Sequence, residues 1–171
     1  LNHGPLYPVA LAVMMKIMSV SDQAVIRTSL IFGLLTVIAT FILGWILFDK
    51  RSGLLAAGLM GTCNAVLKSS TSGELWTTAA FLLVVLLIFI SLYHKNKDNI
   101  KPLKAILLAS AVGIVFALLY YTSNLFIFTM IPIIIYFIVT KPYSKAATIT
   151  FVLVALLACS PLFYRNYEHT Q

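Results

Sequence analysis

The sequence predicts an all-α, polytopic transmembrane helical bundle: about six spanning helices plus an N-terminal membrane-surface helix. Three observations carry that prediction. Apolar residues fill 61% of the 171 positions and charged residues only 10%, whereas a soluble domain is about half apolar and a quarter charged. The apolar residues fall into runs of the length that ~30 Å of hydrocarbon demands of a helix rising 1.5 Å per residue. The basic residues sit in the short connectors and favour alternate ones, as the orientation rule for membrane proteins requires. Lipid is therefore the solvent for much of this chain, because a soluble core of this size cannot absorb such a surplus.

In order along the single transmembrane domain 1–171, residues 1–26 read as an outer loop with a surface helix. Within it, PLYPVALAVMMKIMSV is short and interrupted by Lys16, and Pro5 and Pro8 suit a helix start. An in-plane or re-entrant helix fits better than a seventh crossing. Spans follow near 28–48, 53–68, 75–93, 104–121, 124–140 and 146–163. None carries a charge well inside its limits. In the second, Gly53, Ala57, Gly61 and Ala65 form a small-residue ridge suited to close helix packing. In the fifth, Pro132 predicts a kink.

Orientation follows from the cations. Lys50 and Arg51 follow the first span. Lys95, Lys97, Lys101 and Lys104 separate the third and fourth, and Lys141 and Lys145 the fifth and sixth. These are eight of the twelve Lys and Arg, so their side is cytoplasmic and the first span runs from outside to inside. The net charge of +7 is thus a topology signal rather than a nucleic-acid footprint. Cys63 and Cys159 lie in apolar runs and read as small buried hydrophobes rather than a disulfide or metal pair.

Because no titratable group lies at mid-membrane depth, the sequence gives no support to ion-coupled transport. Polar chemistry gathers on the outer side: His3, Tyr7, Asp22, Arg27, Lys68, Glu74, Tyr164, Arg165, Tyr167, Glu168 and His169. Cations there can grip a lipid phosphate and a carboxylate can handle a hydroxyl or a metal. Solvated helix ends with an aromatic belt are the competing explanation. Glu74, in SSTSGELW, is also explained by capping the next helix.

Taken in order, several segments resemble a known family. HGPLYPVALA at 3–12 with the following Arg27, ILFDKRSGLLAAGLMG at 46–61, Glu74, AVGIVFALLYYTSNLFI and SPLFYRNY at 160–167 are similar to motifs of GT-C type polytopic glycosyltransferases, in the protein O-mannosyltransferase and aminoarabinose-transferase-like group. The resemblance implies transfer of a sugar from a polyprenyl-phosphate-linked donor to an acceptor on the non-cytoplasmic face. In that group an acidic residue of the first outer loop is the general base, and some members use a divalent metal. By side and charge, Glu74 is then expected to contact the acceptor or a metal, Arg27, Lys68 and Arg165 to bind the donor phosphate, and His3 and Tyr7 to line the sugar pocket.

Three departures stand beside it. The loop acid and the first spanning helix lie upstream of HGPLYP in the group, so the chain is expected to be part of a longer protein whose main base precedes Leu1 and whose C-terminal part follows. Thr122-Ser123 replaces a basic position, and Gly4 replaces a proline. The alternative expectation is a non-catalytic membrane subunit or scaffold in a larger complex. A Lys- and Ile-rich composition without N-x-S/T sequons points to a prokaryotic inner membrane. The partners expected are membrane lipid, a lipid-linked sugar donor and other membrane subunits, and no nucleic acid.

Overall fold

In the computed structural model, which describes residues 4–96, 101–139 and 144–168, every regular element among the described residues is helical. The elements are α1 (Leu6–Met18), α2 (Asp22–Leu47), α3 (Lys50–Thr62), α4 (Asn64–Thr71), α5 (Trp76–Asn96), α6 (Pro102–Tyr120), a 3-10 segment (Asn124–Thr129), α7 (Met130–Val139) and α8 (Ser144–Glu168). The all-α polytopic class is as expected, and the protein is an integral membrane protein.

α1 begins where the prolines allow. Pro5 is its N-cap and Pro8 falls in its first turn, where backbone N–H groups have no intrahelical partner to lose. It stops at Ser19, whose φ of 70° is a left-handed conformation costing on the order of 1 kcal/mol outside glycine. Thirteen residues make about 20 Å of helix, which suits a surface or dipping segment and falls short of a crossing.

Four of the expected spans lie in helices long and apolar enough to cross a membrane: Asp22–Leu47, Trp76–Lys95, Pro102–Tyr120 and Lys145–Arg165. The other two are built from shorter pieces. The expected 53–68 span is divided at Cys63, whose extended backbone (φ −64°, ψ 119°) ends α3 and starts α4. Just before the break, the Thr62 hydroxyl donates to the carbonyls of Gly58 and Leu59 at 3.0 and 3.2 Å, engaging groups near the helix end. Cys63 is accordingly exposed rather than buried, while Cys159 is buried as expected. The 124–140 span is a 3-10 segment followed by ten residues of α-helix. Pro132, expected to kink this span, instead sits in the first turn of α7, where its missing N–H is harmless. The proline inside a long helix is Pro161 of α8. The carbonyl it leaves open, that of Leu157, accepts the Ser160 hydroxyl at 2.8 Å.

The chain divides into two compact units, Gly4–Ile88 and Phe89–Gln171. In the first, α3 and α4 run antiparallel along α2. A Cβ on Gly53 would meet the Phe41 carbonyl oxygen at 2.7 Å, and one on Gly44 would meet Gly53 Cα at 2.7 Å. Further along, Gly61 faces Val37, and Gly73 faces Val25 at the far end. The expected small-residue ridge therefore packs within the chain at Gly53 and Gly61. α5 starts beside the beginning of α2 and runs parallel to it, with Ser29 bonded to the Glu74 carbonyl just ahead of α5 and Phe32 and Phe81 rings 6.0 Å apart.

In the second unit, α6 and α8 run parallel. Phe116 packs edge-on against Phe151 at 5.9 Å, and one turn later Tyr120 meets Phe163 at 5.3 Å while the Tyr121 hydroxyl donates to the Ala158 carbonyl at 3.1 Å. Two consecutive long helices run parallel only if the segment between them returns over the same length. The 3-10 segment and α7 do this, spanning about 27 Å at their respective rises.

Candidate functional site

At one end of the Gly4–Ile88 unit, a network of side-chain hydrogen bonds joins α1, the start of α2, the end of α4 and the start of α5. The turn Ser72–Leu75 makes this possible. Gly73 adopts φ +74° there, and a Cβ would press to 2.5 Å from Val25 Cγ1, so only glycine fits. The Tyr7 hydroxyl donates to the Gly73 carbonyl at 2.8 Å and shares a 2.9 Å hydrogen bond with the Ser29 hydroxyl. Ser29, fully buried, also reaches the Glu74 carbonyl at 3.3 Å. One tyrosine and one serine thus tie α1 and α2 to the turn that carries the acid.

Glu74 is half-buried and held at every polar point of its backbone. Its N–H donates to the Ser69 carbonyl at 3.3 Å, and its own carbonyl accepts the Thr77 hydroxyl at 3.0 Å. The Ser69 hydroxyl donates to Glu74 Oε2 at 2.9 Å. The carboxylate therefore pairs with a hydroxyl on α4, rather than capping the N–H groups of α5 as the simplest explanation of this residue had it.

Beside this acid lies a cleft of about 180 Å³ between α2, α4 and α5. Gly33 and Thr36 form one wall, Ala65, Val66 and Ser69 another, and Trp76, Thr77 and Ala80 the third. Ser70 and Thr78, next to two of the lining residues, are buried with hydroxyl oxygens that find no hydrogen-bond partner. The Ser70 hydroxyl lies against Gly33, where a Cβ would displace it.

Of the residues the sequence singled out, Tyr7 and Glu74 come together here through Gly73. Arg27 and Lys68 belong to the same end of this unit and are exposed. Arg27 precedes Ser29 by two residues on α2, and Lys68 directly precedes Ser69 on α4. Arg165, exposed in the last turn of α8, belongs to the Phe89–Gln171 unit. His3 lies outside the described residues. Among the described residues no three His, Cys, Asp or Glu side chains gather as a metal site.

Ser29, Ser69, Trp76 and Thr77 were not picked out from the sequence. A signal existed: Ser29, Gly33, Thr36 and Thr40 recur at helical spacing within an otherwise apolar run, marking one small, polar face of α2. In the other unit, Thr122 and Ser123 are buried. The Thr122 hydroxyl returns to the Leu119 carbonyl at 2.6 Å, and Ser123 accepts the Leu125 N–H at 3.4 Å. The position where the resembling group carries a cation is here a helix stop.

The family model of dolichyl-phosphate-mannose-protein mannosyltransferases matches residues 2–164. The chain belongs to that family. This is a family of membrane glycosyltransferases of the mannosyltransferase type, so the resemblance read from HGPLYP to SPLFYRNY holds at family level. No curated protein and no solved structure matches the chain. For a mannosyltransferase-family member, an acid anchored beside a small cleft at the end of a transmembrane helix is an arrangement with a chemical use.

Proposed function

We propose that this chain is the membrane core of a glycosyltransferase that moves a sugar from a polyprenyl-phosphate-linked donor to an acceptor on the non-cytoplasmic face. All six apolar segments cross the membrane in this reading, with α1 on the outer surface. The observation that carries it is the anchored Glu74 carboxylate beside the α2–α4–α5 cleft in a chain of this family. Transfer from a lipid phosphate needs deprotonation of the acceptor and stabilisation of charge on the departing phosphate. Glu74 contacts the acceptor. Arg27 and Lys68 supply phosphate-binding charge at this end of the first unit, Arg165 offers the same chemistry in the second, and His3 and Tyr7 contact the sugar.

The test is transfer of labelled mannose from polyprenyl-phosphate-mannose in membranes carrying the full natural gene product. Glu74→Gln and Arg165→Ala should each lower the rate by about 10²-fold, the scale of a lost acid–base or charge-stabilising group. Effects of tenfold or less for both would sink these roles. A second reading, a non-catalytic subunit, draws on one observation: the buried Thr122-Ser123 stop where a cation is expected. An inactive gene product that co-purifies with an active relative would favour it.

A further inference from the structure

The hydroxyl protons of the residues lining the cleft are already spent. Thr36 donates its hydroxyl proton to the Phe32 carbonyl at 2.7 Å, Thr77 to the Glu74 carbonyl at 3.0 Å, and Ser69 to Glu74 Oε2 at 2.9 Å. What these groups still present are lone pairs, since each hydroxyl oxygen has a second acceptor site and a carboxylate has about four. Apart from the Trp76 indole N–H, the polar atoms around this cavity therefore ask for hydrogen-bond donors. An anion such as a phosphate would meet no Lys or Arg among the lining residues and would lie beside the Glu74 carboxylate. A hydrocarbon chain would leave those lone pairs unanswered, at a cost for each unpaired group.

The remaining walls are apolar, formed by Gly33, Ala65, Val66 and Ala80, and Trp76 stands at the edge with 48% of its surface exposed. An indole face attracts the weakly positive C–H groups of a ring laid against it. The volume of about 180 Å³ is well below the ~300–1,000 Å³ that holds drug-sized ligands, which limits the occupant to a single ring. A molecule with donors on its rim, an apolar C–H face and the size of one ring is a monosaccharide.

We propose that the α2–α4–α5 cleft binds one pyranose ring, stacked on Trp76 and donating hydroxyl hydrogen bonds to Glu74 and to the Ser69 and Thr77 oxygens. The proposal rests on the glycosyltransferase reading and deepens it, because it says where the transferred sugar is held, with Glu74 shared between that sugar and the acceptor. Ser69 is then a positioning residue that aims Glu74, and Trp76 contributes to sugar affinity.

The experiment measures binding of methyl α-D-mannopyranoside to the chain in phospholipid nanodiscs, free of glycoside detergents. Saturation-transfer NMR reads all variants, and Trp fluorescence is added on a Trp45→Phe background. Trp45 packs against Phe41, away from the cleft, so this leaves Trp76 as the reporter of the chain's two Trp residues. The expected result is saturable binding that Trp76→Ala weakens about tenfold, with Trp76→Phe retaining most of it, as an aromatic contact of ~1.4 kcal/mol demands. Ser69→Ala should weaken binding several-fold in a folded protein, with Thr36→Val, remote from Glu74, changing it less. Sugar-independent Trp76 fluorescence that is instead quenched by brominated acyl chains would overturn the proposal in favour of a lipid chain. Binding unchanged by Trp76→Ala would overturn it in favour of another site. The two readings fail separately: mannose transfer that survives Trp76→Ala with an unaltered KM removes this subsite and leaves the enzyme, while saturable cleft binding without any transfer leaves the subsite and removes the enzyme.

Discussion

The two units of this protein solve the same packing problem with different side chains. The Phe89–Gln171 unit is filled by rings. Tyr93 meets Phe137 edge-on at 5.1 Å, Phe137 meets Phe151 at 5.7 Å, and Phe151 meets Phe116, and beside these rings lie a wholly apolar void of about 60 Å³ and a recess of about 310 Å³ lined by Ile138, Lys145, Thr148 and Ile149. The Gly4–Ile88 unit uses glycines and hydroxyls instead, bringing backbones together at Gly44 and Gly53 and tying helix ends through Tyr7, Ser29, Ser69 and Thr77. Rings fill volume without direction. Hydroxyls and glycines fix direction, and the cleft beside Glu74 lies where they are used. Inside a bilayer, where water does not drive helices together, both are legitimate sources of cohesion, and the second sets hydroxyls around a recess.

That contrast can be broken by substitution, and the largest effect is expected in the ring-filled unit. Phe151→Ala, at a fully buried position, should cost about 3–5 kcal/mol through lost packing and a cavity. Thermal unfolding in nanodiscs measures it, with hydrogen exchange in α6 and α8 rising first. In the other unit, Gly53→Leu should cost about 1–3 kcal/mol or more by pushing α3 off the Phe41 carbonyl. Cross-linking between cysteines placed on α2 and α3 would follow the separation. Next is Tyr7→Phe, which keeps the ring and removes the hydroxyl, leaving the Gly73 carbonyl and Ser29 short of a partner. It should cost about 1–3 kcal/mol and free α1 to proteolysis while α6 and α8 keep their protection. Unchanged protection of α1 would mean the hydroxyl tether is not what holds it.

The smallest effect is a pH dependence at the start of α3. Asp49 accepts the Ser52 N–H at 2.7 Å, and that bond holds its carboxyl below the ordinary 3.8. A carboxyl lowered on folding stabilises the folded state above its unfolded pKa, and the contribution disappears as pH falls through the lowered folded value. Exchange of the Ser52 amide should therefore quicken below pH 3.8, and Asp49→Asn should remove that acid dependence.

Much of this was legible in the residues. The four long spans follow from uninterrupted apolar runs, and the Lys-rich connectors follow their ends. The break at Cys63 was not legible, because TCNA carries neither Pro nor Gly and only the Thr62 hydroxyl competes for the helix carbonyls. Pro132 and Pro161 show that a proline's effect depends on its place in a helix rather than on its presence. At the site, Glu74 stood out as an acid beside an apolar run, but its partners did not. Thr28, Thr36 and Thr40 return their hydroxyls to carbonyls four residues back, the usual use of such residues in apolar helices. Nothing in the one-letter code tells those from Ser29 and Ser69, which reach across to another element.

The break at Cys63 also equips the protein with a handle. Its two thiols divide cleanly, Cys159 buried and Cys63 exposed, and Cys63 adjoins the stretch where Gly61 faces Val37, midway along α2. A nitroxide or fluorophore attached there without any mutation would report its own depth. A membrane-permeant maleimide reacting where a charged one does not would mark the α3–α4 junction as lying within the hydrocarbon, and so count the second crossing directly.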